Sequence, residues 1–462
     1  MLIRPRFDSE RWAQDNFRGC PLGDQRRSQR LEKLGRQVAD RPAASLPKIG
    51  EDWGGTRGIY RLLDRPEATL ESVTQTHRDR VKQQAGQFLV VSDTTHVNFG
   101  HHRDLPDAGP IGRGRGQGFL LHSGLLINTE DDALVGLAGQ VAHVRSRKRK
   151  GKQSDSQRLK RWRESEMWIE LFEQVGSPPE DSQYIHVCDS AADNFEVFCA
   201  AKQLHCDFVI RGARLQRQVV ADGEDMSLSQ AISGLPERGR YELQIERGNG
   251  RKARTALLRV AWRQIELPVP QHHSRRVKQY VKAGGGSITA WVVVVEEIDP
   301  PAGVEPIRWV LLTTVPVQSF DDAWKVIGWY ENRWLVEEWH KALKTGCRLE
   351  SRQLQSVDRL LPLTGILSLV AVLLVQLKCA ARTNSDDPAS ALVPALWLKL
   401  LKGKRKTTTC DITNYEFWRA VAKLGGFLGR RHDGEPGWQV IWRGWQELHT
   451  LAEGATLARR CG

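Results

Sequence analysis

The sequence predicts an α/β protein, a mixed sheet flanked by helical segments at both ends. Three observations predict it. Between residues 87 and 214, short β-branched runs are separated by amphipathic stretches of helical period. From about 215 to 308 the runs are almost all strand-like, with Gly and Pro turns between them. Residues 1–70 and 355–462 instead show helical periodicity or long apolar runs. With 462 residues, 40% of them hydrophobic, the chain can bury a large core in roughly two to four domains. Lys and Arg outnumber Asp and Glu by 68 to 55, a net charge of +13. That excess suits a polyanionic partner, nucleic acid first and an anionic membrane second.

Taken in order, RWAQDNF opens the chain as a helix. Asp24 then N-caps an amphipathic run, QRRSQRLEKLGRQVAD, with Leu31, Leu34 and Val38 on its apolar side. Arg26, Arg27 and Arg30 fall in its first turns, where arginine can address phosphates or guanine edges. A solvated basic helix is the competing reading. DWGGTRGIYRLL (52–63) continues the helical region. QFLVVSD (87–93) reads as a strand ending in Asp93, and GFLLHSGLLIN (118–128) and ALVGLAGQVAHV (133–144) as the next strands. A Gly- and Pro-rich loop at 101–118 separates the first two. The tract 145–163 holds ten Lys or Arg and one Asp, dense enough to favour contact with a DNA backbone over a solvated loop. ESEMWIELFEQV (164–175) is an amphipathic helix stopped by Gly176. SQYIHVC leads to Asp189 and a helix, and DFVIRGAR (207–214) is a strand running into Arg211 and Arg214. The β-rich stretch at about 215–308 is an insertion or an extension of the sheet.

Gly328 to Gly346, GWYENRWLVEEWHKALKTG, reads as one helix. At about 100° per residue, Tyr330, Arg333, Glu337, Lys341 and Lys344 share a stripe roughly 80° wide. Glu338 lies about 100° off it. Gly346 is a plausible stop. The bland alternative is a solvated face with pairs such as Glu337 with Lys341. Residues 355–381 read as a buried helix. Their most apolar run, Gly365–Leu377, is too short to span a bilayer, so no membrane partner is expected. Residues 382–462 read as helical, with GKRKTTT (403–409) as an exposed basic loop. None of the eight Cys forms a CxxC pair, and Cys199, His205 and Cys206 lack a matching second pair, so no zinc site is expected. Scattered thiols suit a reducing cytoplasm, and the charged first 30 residues read as no signal peptide.

Asp93 and Asp189 are each the first carboxylate after an apolar strand. A lone Asp there is usually a turn or cap residue. Two of them, with a helical Glu337 ringed by cations, point further. Three converging carboxylates repel unless divalent cations join them, and Mg²⁺ shares oxygen ligands with phosphates. Two such ions clamp an in-line phosphodiester displacement. Arg333, Lys341 and Lys344 can hold phosphate oxygens, and Tyr330 can hydrogen-bond one.

Tyr330, Arg333, Glu337 and Lys344 stand in a Y-(2)-R-(3)-E-(6)-K spacing. With LGDQRRSQRL (22–31), VSDTTHVNF (91–99), VCDSAADNF (187–195), RWVLLTTVPV (308–317) and ENRWLVEEWHKALKTG (331–346), the chain resembles DDE transposases of the insertion-sequence-four family, and among them the transposon-five type. These motifs occur in the family's order and cover about 20–350. The resemblance implies an RNase H-like catalytic core over 71–380 with the β insertion, a helical DNA-binding domain over 1–70, and a helical dimerisation domain over 381–462. It implies Asp93, Asp189 and Glu337 as catalytic and metal-binding acids, with Mg²⁺ as cofactor and Mn²⁺ as its substitute. It implies cut-and-paste chemistry on double-stranded DNA: hydrolysis at the transposon ends, a hairpin intermediate, and attack of the freed 3′-OH on target DNA by a homodimer. Tyr330, Arg333 and Lys344 inherit phosphate binding, and Trp309 the stacking of a flipped base, although Trp309 could equally be core. Arg26, Arg27 and Arg30 inherit reading of the terminal repeat, and Arg211 and Arg214 further DNA contact. The resemblance implies a bacterial cytoplasmic location. An inactive or regulatory DNA-binding derivative, or a nuclease on the same core, are the alternatives.

Overall fold

The structure, a computed structural model, describes residues 8–100, 105–112, 114, 116–146, 163–245, 253–383, 385–405, 412–430 and 433–461. Most of the basic tract 145–163, and parts of the 101–118 and 403–409 loops, lie outside the described residues.

Helices α1 (Ser9–Phe17), α2 (Gln25–Asp40), α3 (Leu46–Gly50), α4 (Trp53–Leu63) and α5 (Leu70–Lys82) come first. The Asp24 carboxylate accepts from the Arg26 N–H at 2.6 Å and starts α2. Helix α5, which the sequence reading passes over, is nucleated by a reciprocal Thr69–Ser72 capping box.

A sheet of 12 strands follows. Strand β1 (Gln87–Asn98) pairs antiparallel with β3 (Gln117–Asn128), which also carries β2 (Gly109–Pro110) and β4 (Leu134–His143). On its other edge β1 pairs parallel with β5 (Gln183–Cys188), and β5 pairs parallel with β6 (Asp207–Arg211). Helices α6 (Glu166–Val175) and α7 (Phe195–Gln203) supply the crossovers. The predicted stop of α6 is observed, with Gly176 at φ 78°.

The region 215–308 continues this sheet. Beyond β6 come β12 (Arg308–Thr313), β11 (Ile288–Ile298) and β10 (Arg254–Leu267), all antiparallel, with β7 (Gln218–Ala221), β8 (Glu224–Ser227) and β9 (Gly239–Ile245) at the edge. Two short helices within it, α8 (Leu228–Ile232) and α9 (Arg275–Lys282), were not legible as such.

The predicted single helix over 328–346 is three pieces: α10 (Phe320–Glu331), α11 (Trp334–Lys341) and a π-helical turn at Ala342–Gly346. At the first break the bonds shorten to three-residue steps, Arg333 N–H to Tyr330 O at 3.1 Å and Leu335 N–H to Asn332 O at 3.0 Å. The Asn332 side chain is drawn out to Asp132 at 2.9 Å. Gly346 is a close-packing residue rather than a conformational stop. A Cβ there would meet the Trp442 indole at 2.2 Å, and the left-handed backbone falls instead at Arg348, φ 48°.

Helix α12 (Val357–Thr383) is 27 residues long and lies where the sequence reads a buried helix at 355–381. Its segment Val357–Ala380 is long and apolar enough to cross a membrane, but 89% of its most apolar window is buried inside the protein. It packs on α5, β4 and the C-terminal helices as a core helix. Helices α13 (Ala395–Arg405), α14 (Asn414–Leu424) and α15 (Trp438–Cys461) complete the chain. Cys20, Cys188, Cys199, Cys206 and Cys347 are buried free thiols.

Candidate active site

Strand parity aims the first two acids. On β1, Leu89 and Val91 point into the core cluster that contains Leu335, Val336 and Trp339 of α11, whereas Phe88 and Val90 face α6. Asp93 is the next residue on the Leu89–Val91 face. On β5, Ile185 and Val187 join the same cluster, so Asp189 follows on the same face. The parallel ladder ends at Val91↔Val187, two residues before each Asp, so the two carboxylates come side by side.

Asp93 is not at a strand end as read from the sequence. Strand β1 runs on to Asn98 because β3 continues to pair with it; only the β5 edge stops. Asp189 does end its strand, and its Oδ1 caps a 3₁₀ turn by accepting from the Ala191 N–H at 2.8 Å.

Arg333 brings in the third acid. Its guanidinium stands 3.4 Å from Asp93 and 2.5 Å from Glu337. Lys344 reaches the same strand three residues further on, donating to the His96 carbonyl at 2.6 Å, with Glu350 at 3.7 Å. Burial lowers the Lys344 ammonium below the usual lysine range, against the pull of Glu350. Tyr330 is buried, and its ring meets Trp309 edge-on at 5.7 Å. Burial pushes the Tyr330 hydroxyl up, while Arg333 and a hydrogen-bonding Arg211 hold it down and Asp189 adds to the rise. Tyr330, Arg333, Glu337, Lys344, Trp309 and Arg211 are thus gathered around the two Asp.

Two expected members are elsewhere. Lys341 leaves the stripe and pairs with Glu338 at 2.8 Å. Within α11 the backbone still places Lys341 beside Glu337, but the Glu338 carboxylate one turn back captures its ammonium. Arg214 lies in a loop whose backbone is pinned by Asp193, which accepts from the Ala213 and Arg214 N–H groups at 2.8 Å; its own side chain is exposed.

The layer behind Asp93 is neutral. His122 on β3 bonds Thr94 at 2.9 Å and lies on Trp168, and burial pushes its pKa down to about 3. The sequence reading missed this histidine because only the β1–β3 register places it behind the acid. With no cation behind it, burial pushes the Asp93 carboxyl up to about 6. The Thr94 N–H and Arg333 oppose that rise, and Asp189 and Glu337 add to it.

Among the described residues no group of three His, Cys, Asp or Glu closes on one point. Arg333 spans two of the three acids and stands where a cation would be shared. The donors are all carboxylate oxygens and carry more negative charge than one guanidinium offsets. That chemistry fits a hard divalent ion.

At the N-terminus, Arg26 and Arg30 are exposed at the start of α2. Arg30 lies over Gly58 of α4, where a Cβ would meet its guanidinium at 2.7 Å. Arg27 pairs with Glu67 at 2.8 Å and donates to the Leu22 carbonyl at 3.0 Å. The structure adds Trp53, 77% exposed, on one face of α4 with the exposed Arg57 and Arg61. The i, i+4, i+8 spacing of these three was the available signal.

Residues 9–68 match the family described as Transposase DNA-binding, and residues 394–462 match the Transposase Tn5 dimerisation domain. The two matches support a transposase that binds DNA and forms dimers. The second match falls beyond the motifs at 20–350 that carry the resemblance.

Proposed function

We propose that this chain is a DDE transposase of the cut-and-paste kind, with an RNase H-like core whose acids are Asp93, Asp189 and Glu337. The observation that carries this reading is the Arg333 bridge between Asp93 and Glu337, with Asp189 beside Asp93 on the neighbouring strand, in a chain whose two ends match transposase DNA-binding and dimerisation domains. The strand sequence β4-β3-β1-β5-β6, antiparallel and then parallel, supports the RNase H-like reading. The order of motifs supports placing the chain in the insertion-sequence-four family.

Asp93, Asp189 and Glu337 would hold Mg²⁺, or Mn²⁺ in its place, which when bound activates the attacking oxygen and stabilises the leaving one. Arg333 holds Asp93 and Glu337 together before DNA arrives. When a phosphodiester enters, its oxygens compete for the guanidinium, which then positions the scissile phosphate. Lys344 adds a second cation along β1. Tyr330 and Arg211 close the side toward Trp309, whose partly exposed ring offers a stacking surface to an unpaired base. The same acids serve end hydrolysis, hairpin formation and opening, and strand transfer, since each is a displacement at phosphorus. Arg26, Arg30 and the Trp53 face read or grip the terminal repeat in double-stranded DNA, and the homodimer pairs two ends.

The test is excision in vitro from DNA carrying the native flanking sequence, with Mg²⁺. Nicking followed by strand transfer is the expected result. Cleavage without transfer supports the nuclease alternative, and end binding without cleavage supports the regulatory one.

A further inference from the structure

Glu338 is buried where its neighbour is open: its side chain is 16% exposed, against 46% for Glu337. One oxygen accepts from Lys341 at 2.8 Å; the other accepts from Lys378 of α12 at 3.0 Å and from the Trp438 indole N–H of α15. The Lys378 ammonium also sits 4.2 Å from the centre of the Trp438 ring. Burial alone would push the Glu338 carboxyl up; these donors overcome it and hold it down at about 2. One turn of α15 further on, Trp442 fills the space over Gly346, at the end of the π-helical turn that continues α11. Helix α11 is therefore gripped at two points by α15, which belongs to the segment matching a dimerisation domain.

We propose that Glu338 is a positioning residue: through Lys378 and Trp438 it clamps α11 to the C-terminal domain, and so sets where Glu337 and Arg333 stand relative to Asp93. This rests on the reading of Glu337 as a metal-holding acid. The domain that pairs two copies would then also hold the third acid in place. The grip is polar and directional, so it fixes the rotation of α11 about its axis, which apolar packing alone leaves looser. A small rotation would carry Glu337 away from Asp93 while leaving the core buried.

The experiment uses the full chain with Glu338→Gln and Trp438→Phe. Hydrogen exchange of residues 334–341, dimer mass by sedimentation, and nicking of end-containing DNA across a Mg²⁺ titration are measured. Exchange in 334–341 should quicken by roughly tenfold, the loss expected for one charge-assisted hydrogen bond. Half-saturating Mg²⁺ should rise by a larger factor than the maximal rate falls, with dimer mass and end affinity kept. Unchanged exchange, or an unchanged Mg²⁺ requirement in a nicking enzyme, overturns the proposal. If Glu338→Gln fails to fold, Trp438→Phe decides, because it keeps an aromatic ring, though a smaller one, under Lys378 while removing the N–H. If the unmodified chain nicks nothing, the functional reading fails, and the exchange result alone judges the clamp.

Discussion

The two sides of α11 carry adjacent carboxylates with opposite surroundings. Glu337 faces the strand acids across a single guanidinium and stays half open to solvent. Glu338 faces two lysines and an indole and is enclosed. On the first side three carboxylates stand with one bridging guanidinium; on the second both oxygens of one carboxylate are matched by donors, two of them ammonium groups. A carboxylate surplus left half open to solvent is a binding site in waiting, whereas a matched, enclosed carboxylate is a fastening. The contrast also explains Lys341, which sequence spacing places with the first group and the structure places with the second.

The strongest way to break this contrast is to remove the surplus. Asp93→Ala, Asp189→Ala or Glu337→Ala should take Mg²⁺-dependent nicking below detection while leaving end binding nearly intact, as gel shifts would report. Full cleavage by any of the three would remove that residue from the site. Next in size is the fastening side. Gly346→Ala forces a methyl group into the Trp442 indole and should lower the melting temperature by several degrees, because neither the helix end nor a buried ring has room to yield. An unchanged melting curve would mean that α15 does not press on the helix.

A milder change sharpens the surplus directly. The Asp93 carboxyl sits near 6 in the folded chain against its ordinary 3.8, so folding favours the protonated form. That stability is complete below about 3.8 and is lost as pH rises through about 6. Asp93→Asn mimics the protonated form at every pH. In EDTA it should melt a few degrees above the unmodified chain at pH 8, with the difference closing toward acid. A constant difference across that range would place the excess charge elsewhere. The smallest effects lie in α2. Arg30→Ala should weaken binding to the terminal repeat with little loss of stability. Arg27→Ala should cost some stability by freeing Glu67, with a lesser effect on affinity.

Much of the fold was legible because strand and helix periods are local. Most of the long strands, from QFLVVSD to RWVLLTT, and most of the principal helices fall close to where their patterns put them. Short pieces such as α8 and β7 were not legible, since a few residues carry too little period to read. The break at Asn332–Arg333 was not legible either, because it depends on Asp132, some 200 residues away in sequence. Within the site, the spacing of Tyr330, Arg333, Glu337 and Lys344 was readable in advance. The neutral His122 behind Asp93, the occupation of Arg27 by Glu67 and the diversion of Lys341 were not.

By itself the sequence determined the basic charge, the alternation of strands and helices, and the parity that puts Asp93 on the face of Leu89 and Val91, because each depends on neighbours a few residues apart. Only the tertiary structure decided that β1 and β5 end their ladder beside both Asp residues, that Arg333 bridges to Glu337, and that Glu338 belongs to the C-terminal helix. Those outcomes depend on strand register and on which side chains compete for one carboxylate once distant segments pack, and charge pairing across such distances leaves no period in the chain.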